Sequence, residues 1–289
     1  MRTVFYLMTH KNERQIARLV KHLRSFGNSF VLVHHDAKSP PLPLPRSDDL
    51  CVIDDPLRVR WGDFSQVDMM SKGIDWLEAN DTSFDWLIFL SGQDYPAMPT
   101  ARIEAELREA QFDGFVDHEL IHEDPARNTN GFQTECMRRY FKRTVKIPGL
   151  RPFHFRRKHP YTRDLRCFAG STWLNLSRKA VEHLWSRQST RATLARHLRH
   201  APCPDETFFQ TLLLNDSDLN IQSWDKRFYV WRENAPNPET LGLEDMSKIR
   251  ASEAWFVRKV DDRIHPDLLD RLDEIVAGRA VEPPRRSRS

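Results

Sequence analysis

Trp86-Leu87-Ile88-Phe89-Leu90-Ser91-Gly92-Gln93-Asp94-Tyr95-Pro96 is the stretch whose reading decides the fold. An unbroken apolar run ended by a polar turn reads as a strand buried on both faces, the signature of a parallel sheet covered by helices. Just past it stand Ser91, Gln93 and Asp94, and the carboxyl ends of strands are where open α/β sheets build ligand sites. Gly-Gln-Asp and Tyr-Pro are also ordinary turn chemistry, so the stretch takes its meaning from what surrounds it.

Upstream, residues 3–8 read as a first strand, Ile16, Leu19, Val20 and Leu23 recur at helical spacing, and Phe30-Val31-Leu32-Val33 forms a second apolar run. This is a βαβ unit. Its right-handed crossover makes the strands parallel, so Thr9-His10-Lys11 and His34-His35-Asp36 should emerge at one edge. A short strand at 51–53 and a helix carrying Val67, Met70, Ile74 and Leu77 lead to the strand ending at Leu90. Through residue 116 the order is that of a nucleotide-binding α/β architecture. From 117 to 160 periodicity fades and Arg, Lys, His and Pro accumulate, which reads as one long loop. Regular structure returns at 167–176, with helices expected at 178–186, 205–214, 243–250 and 266–276.

A chain of 289 residues with 39% apolar and 29% charged residues can bury a substantial core, and one large domain over 1–278 is the simplest reading. No window approaches the apolar length of a membrane-spanning helix. Lys11, Asn12, Glu13 and Arg14 interrupt the first apolar run before a signal-peptide core could form. A soluble, cytoplasmic protein is therefore expected. Cys51, Cys136, Cys167 and Cys203 are scattered without zinc-site spacing and read as reduced thiols. The net charge is only +3, with basic surplus at 138–163 and in the tail 279–289. The tail reads as a solvated, disordered segment. The functional alternative is attraction to phosphates or to an anionic membrane surface, a peripheral contact at its inner face. No nucleic-acid partner is expected.

Pro204-Asp205-Glu206 opens an expected helix, and an Asp cap followed by a first-turn Glu suits the helix dipole. Local chemistry favours that cap, while the active alternative makes Glu206 a general base. Arg258-Lys259 reads as a solvated pair or as cations that stabilise a leaving diphosphate. Trp61 beside Gly62 is either a core aromatic or a ring that stacks on a base or sugar. Adjacent His34 and His35 point to opposite faces of a strand, and His118 with His122 lacks a third ligand, so no metal site is expected. Asp216-Ser217-Asp218 has the Asp-x-Asp form of a nucleotide-sugar metal site but follows a helix end as a turn would. Neither a Gly-rich phosphate loop nor a Gly-x-Ser-x-Gly elbow occurs.

Together these stretches resemble the Core-2/I-branching enzyme family, which contains β-1,6-N-acetylglucosaminyltransferases and peptide O-xylosyltransferases, over roughly residues 4–262. Val33-His34-His35-Asp36-Ala37-Lys38-Ser39 is similar to the family's His-Val-Asp-x-Lys-Ser stretch, and Trp61-Gly62-Asp63-Phe64-Ser65 to its Trp-Gly-Gly-x-Ser. Leu90-Ser91-Gly92-Gln93-Asp94-Tyr95-Pro96, Gly170-Ser171-Thr172-Trp173 and Pro204-Asp205-Glu206-Thr207-Phe208-Phe209 also match, and Phe256-Val257-Arg258-Lys259-Val260-Asp261 resembles Phe-Ala-Arg-Lys-Phe-Asp. Each motif is weak alone. Six in the family's order are specific.

The resemblance implies an α/β, GT-A-type, Rossmann-like nucleotide-sugar-binding fold with a mostly parallel central sheet flanked by helices. Its donor half would reach about residue 116, and its acceptor and catalytic half would span 117–278. It implies an inverting, metal-independent transfer of GlcNAc or xylose from a UDP-sugar to a glycan or lipid-linked glycan hydroxyl, without a cofactor. Carried over by position, Glu206 is the catalytic base, Arg258 and Lys259 hold the diphosphate, Asp36 and Trp61 sit at the uridine, and Asp94, Arg139 and Trp173 lie near the acceptor sugars. This reverses the cap reading of Glu206. Animal members are Golgi proteins with an anchor and disulfides, and the sequence lacks both features, so a microbial enzyme acting on surface-polysaccharide precursors is expected. Thr172, where xylosyltransferases tend to carry an acidic residue, and Asp63, in place of the second glycine, leave donor sugar and acceptor open. Two other functions compete: a catalytically silent glycan- or nucleotide-binding protein, and a metal-dependent enzyme using Asp216 and Asp218.

Overall fold

Thr3–Thr9 (β1) is buried along its whole length. Val4, Tyr6 and Met8 enter the core on one side of the sheet and Phe5 and Leu7 the core on the other, as the twofold strand repeat requires. The structure is a computed structural model that describes residues 1–145, 153–232, 235 and 237–278. The basic tail at 279–289 and the middle of the basic stretch at 138–163 lie outside those residues.

Glu13–Leu23 (α1) starts at Asn12, whose backbone takes the left-handed conformation that asparagine tolerates and whose side chain accepts from the Gln15 N–H at 3.4 Å. Its Ile16, Leu19, Val20 and Leu23 cover the Phe5/Leu7 side. Ser29–His35 (β2) then runs parallel to β1, from Thr3 opposite Ser29 to Thr9 opposite His35, and Leu50–Val52 (β3) extends the sheet beside β2. Ser65–Ala79 (α2) covers the other side. At Gly73 a Cβ would come within 2.4 Å of the Tyr6 ring, so only glycine lets α2 settle on β1 there. Trp86–Ser91 (β4) lies parallel to β1 on its free edge, as the apolar run predicts. Tyr95–Pro96 (β5), Thr100–Glu109 (α3) and Gly114–Val116 (β6) follow.

The stretch 117–160 is not one long loop. Glu119–Ile121 (β7), Gly131–Phe141 (α4), Lys142–Val145 (β8) and Phe153–Arg156 (β9) occupy it. Asn130 caps α4 by accepting from the Gln133 N–H at 2.8 Å, and the helix buries Cys136, Met137, Tyr140 and Phe141. Cys167–Ala169 (β10), Leu174–Ser177 (β11) and Arg178–Ser186 (α5) come next, the last within its expected bounds. Gln188–Leu198 (α6) is a further helix that periodicity did not announce. The expected helix at 205–214 is split into a 3-10 turn, Pro204–Glu206, and Phe208–Leu213 (α7). Ile221–Gln222 (β12), Arg227–Phe228 (β13), Met246–Ala251 (α8), Phe256–Val257 (β14) and Pro266–Val276 (α9) complete the order.

The described residues form a seven-stranded sheet ordered β12-β6-β11-β4-β1-β2-β3, parallel throughout except that β11 opposes both β4 and β6. This is the mostly parallel, helix-flanked sheet expected. A smaller sheet, β13-β14-β5, places Phe256 opposite Pro96 and Val257 opposite Tyr95. The carboxyl end of β14 therefore stands over the turn that follows β4. Helix α9 is tied down by Asp273, which accepts from Arg18 Nε at 3.0 Å and Nη2 at 2.7 Å, pairs with His22 at 2.7 Å, and receives the Tyr95 hydroxyl. No helix of the described residues is long and apolar enough to cross a membrane.

Candidate functional site

The carboxyl ends of β1, β2 and β4 open on a cleft of about 390 Å³, reached by Thr9 and His10 at the end of β1, Asp36 after β2, and Ser91 and Gln93 at the end of β4. Parallel strands direct their following loops to one edge, which is why residues so far apart in sequence meet here. Asp36, 6% exposed, accepts from the Lys38 N–H at 2.9 Å and the Val59 N–H at 3.4 Å, so it fastens the segment that leads to Trp61. Trp61 lines the cleft with 70% of its surface open, a ring with a free face. Gly62 follows it at φ 71°, a left-handed turn, donates to the Gln66 side chain and accepts from the Cys203 N–H at 2.9 Å.

One wall is cationic. Arg258, leaving β14, donates Nη1 to Asp94 at 3.2 and 3.3 Å and lies 4.0 Å over the Trp173 ring. Stacking and a shared carboxylate orient a guanidinium more firmly than either alone. Asp94 also accepts from the Ser91 N–H at 2.7 Å and Oγ at 2.5 Å, and buried Arg227 stands 3.7 Å away. Asp94 has no exposed surface and does not line the cleft. It sits beneath Arg258 because the turn after β4 folds its carboxylate back onto Ser91. Lys259 lines the cleft and donates to Asn237 at 2.7 Å. Burial, with Arg258 and Lys11 nearby, pushes its ammonium down to about 8.

Another part of the lining is acidic. Glu206 ends the 3-10 turn with its side chain 29% exposed, and its Oε2 accepts from Arg139 Nη1 at 2.9 Å. Burial and the neighbouring Asp205 push the Glu206 carboxyl up to about 7, with Arg139 opposing them. Arg139 reaches from α4, also donates to Glu135 at 3.2 Å, and backs Glu206 rather than lining the cleft. Asp205 is no helix cap. Its Oδ2 accepts from Thr172 Oγ1 at 2.6 Å and Gln66 Nε2 at 3.3 Å, and α7 begins at Phe208 without a side-chain cap.

Glu206, Asp36, Trp61, Trp173, Arg258 and Lys259 thus line one cleft, with Asp94 and Arg139 as their supports. Among the described residues no group of three or more His, Cys, Asp or Glu is placed to hold a metal. Asp216 pairs with Arg187 at 2.6 Å and His183 at 3.0 Å and accepts from the Asp218 N–H at 2.8 Å, away from the cleft lining. His118 and His122 flank β7. Tyr140, within the basic stretch, is fully buried and donates to the Cys203 carbonyl at 2.8 Å. Phe153 and Phe155 are exposed but do not line the cleft. Sequence reasoning passed over Arg227, Asn237 and Gln66. Lys226-Arg227 looks like any solvated pair, and nothing local marks the arginine as buried.

An open α/β sheet with a charged cleft at the carboxyl ends of its parallel strands defines a ligand-binding protein of the nucleotide-binding type. The chain belongs to the Core-2/I-branching enzyme family, whose profile matches residues 3–252. It is 26% identical over 230 residues to the beta-glucuronosyltransferase GlcAT14A of Arabidopsis thaliana, covering 73% of this chain and 45% of that protein. It is 24% identical over 311 aligned positions to the xylosyltransferase 2 of Canis lupus familiaris, covering 94% of this chain and 33% of the relative. The chain therefore spans about a third to a half of these relatives. Among solved structures, a Bacillus anthracis protein assigned as a glucose-1-phosphate thymidylyltransferase aligns over 98% of both chains with TM-score 0.36 and 8% identity.

Proposed function

We propose that the protein is an inverting, metal-independent glycosyltransferase that moves a sugar from a UDP-sugar to a hydroxyl of a glycan or lipid-linked glycan. The observation that carries the reading is the presence together, in one cleft, of a carboxyl held near neutrality, Glu206, and two cations, Arg258 and Lys259. A base whose pKa lies near the working pH is suited to take a proton from an alcohol as it attacks. Glu206 removes the acceptor hydroxyl proton, the freed oxygen bonds the anomeric carbon from the face opposite the leaving group, and the bond to the diphosphate breaks with its electrons. Arg258 and Lys259 stabilise the charge that develops there, the task a divalent metal performs elsewhere. Asp36 and Trp61, at the ends of β2 and its following loop, hold the uridine, and Trp173 forms the sugar wall.

Xylose and GlcNAc are the donor sugars first expected, and the relatives' names add glucuronic acid to the panel. The test is turnover and UDP binding in E206Q, which keeps shape while removing the proton acceptor. Turnover should fall by about two to four orders of magnitude with UDP affinity little changed. Near-normal turnover refutes the assignment, and UDP binding without any transfer or donor hydrolysis by the unaltered protein marks a silent binder.

A further inference from the structure

Among the described residues β8 and β9 pair only with each other, a two-stranded ribbon with Val145 opposite Phe153 and Arg143 opposite Phe155. Such a ribbon is marginal in water unless something packs on it. Its root is secure: Phe141, 5% exposed, lies 4.8 Å from the His159 ring and 4.8 Å from the Tyr161 ring, and Tyr161 meets His197 at 5.3 Å. Its outer rings are not covered. Phe153 and Phe155, two places apart and so on one face of β9, are 45% and 56% exposed, and neither lines the cleft. Arg143, opposite Phe155, shares that face and is exposed as well.

The charge around this face has one sign. Between Glu135 and Asp164 the sequence carries ten lysines and arginines and no acidic residue, so the net charge of +3 is the remainder of +10 here and −7 elsewhere. Glu135 and Glu206 answer Arg138 and Arg139, but among the described residues no carboxylate pairs with Lys142, Arg143 or Lys158. A second copy of the chain would bring the same charge to the face and be repelled. Val145, opposite Phe153 in the register, suits hydrocarbon and offers a nucleic-acid base nothing to stack on. An anionic phospholipid surface meets both demands, since interfacial elements bind it by apolar area and positive charge together. We propose that the β8–β9 ribbon docks the protein on an anionic membrane surface, Phe153 and Phe155 entering the interface and Arg143 meeting phospholipid headgroups. Docking of this kind does not depend on the chemistry of the cleft.

The test is co-sedimentation of the full chain with vesicles of phosphatidylcholine alone and with vesicles containing about one third phosphatidylglycerol. The unaltered protein should bind the anionic vesicles about tenfold or more tightly than the neutral ones, and lose several-fold as salt rises from about 0.1 to about 0.5 M. The double variant F153S/F155S should bind the anionic vesicles about 10- to 100-fold more weakly, with UDP affinity unchanged. R143E, which keeps both rings, should lose about tenfold or more and serves if the melting curve shows the double variant misfolded. Equal binding of neutral and anionic vesicles, no binding of either, or full binding by the folded double variant would overturn the docking while leaving the transferase reading intact. A dimer in vesicle-free solution that F153S/F155S abolishes would overturn it too, as would a single-stranded oligonucleotide bound more tightly than the vesicles and lost in the same variants.

Discussion

Arg139 Nη1 meets Glu206 Oε2 at 2.9 Å, joining α4 to the 3-10 turn that carries the carboxylate. The cation lowers a carboxyl that burial and Asp205 raise. Removing it in R139Q should move the acid limb of the activity profile to higher pH by about one unit or more. Turnover at pH 7 falls in consequence and recovers as the pH rises. An unshifted limb with a raised acceptor KM would instead return Arg139 to the acceptor.

The unaltered protein should show a bell-shaped dependence of kcat/KM on pH. Glu206 must lose its proton to act, so the rate rises through about 7. Lys259 must keep its proton to hold a diphosphate, so the rate falls through about 8. E206Q should abolish the lower limb. A flat profile from pH 6 to 9 would contradict both roles.

Because the cations are proposed to do a metal's work, transfer should survive excess chelator. K259M should weaken UDP binding by about 10- to 100-fold. R258K should be costly as well, since lysine cannot both stack on Trp173 and share Asp94 as the guanidinium does. A strict manganese requirement would refute the proposal.

Asp273 gives a prediction for stability. Burial raises its carboxyl, but hydrogen bonds from His22, Arg18 and Tyr95 outweigh that and hold it well below the ordinary range. D273N should cost about 1–3 kcal/mol at pH 7, discounted for solvent reaching a carboxylate 28% exposed. A depressed folded-state pKa means this stability is present above the unfolded value and lost as pH falls through the folded one. Denaturant midpoints of variant and parent should therefore converge in strong acid.

The parts of the fold legible in sequence are those whose burial is local. Val4 to Met8 and Trp86 to Leu90 read as doubly buried strands because every side chain enters one core or the other. Helix α9 announced itself through Pro266 and its apolar stripe. Helix α4 did not, since its buried Cys136, Met137, Tyr140 and Phe141 are masked by arginines, although Asn130 with Gln133 three places on was a cap signal. The lining of the cleft was reached through motifs, whereas its supports depend on pairings between distant segments. Nothing near Asp94 says that Arg258 and Arg227 will converge on it, and nothing near Pro204 says that Asp205 will turn to Thr172 instead of capping a helix.

The small sheet β13-β14-β5 has a consequence for the order of events during synthesis. Asp36, Trp61, Asp94 and Glu206 have all left the ribosome before Arg258 and Lys259 are made, and β14 brings with it Trp255 and Phe256, both fully buried. A nascent chain can assemble the parallel strands and the acidic part of the lining, but it has no grip on a diphosphate until β14 docks against Tyr95 and Pro96. Under the proposed chemistry a polypeptide not yet extended through β14 neither sequesters nor wastes its sugar nucleotide, and competence arrives only once that strand has been made and docked.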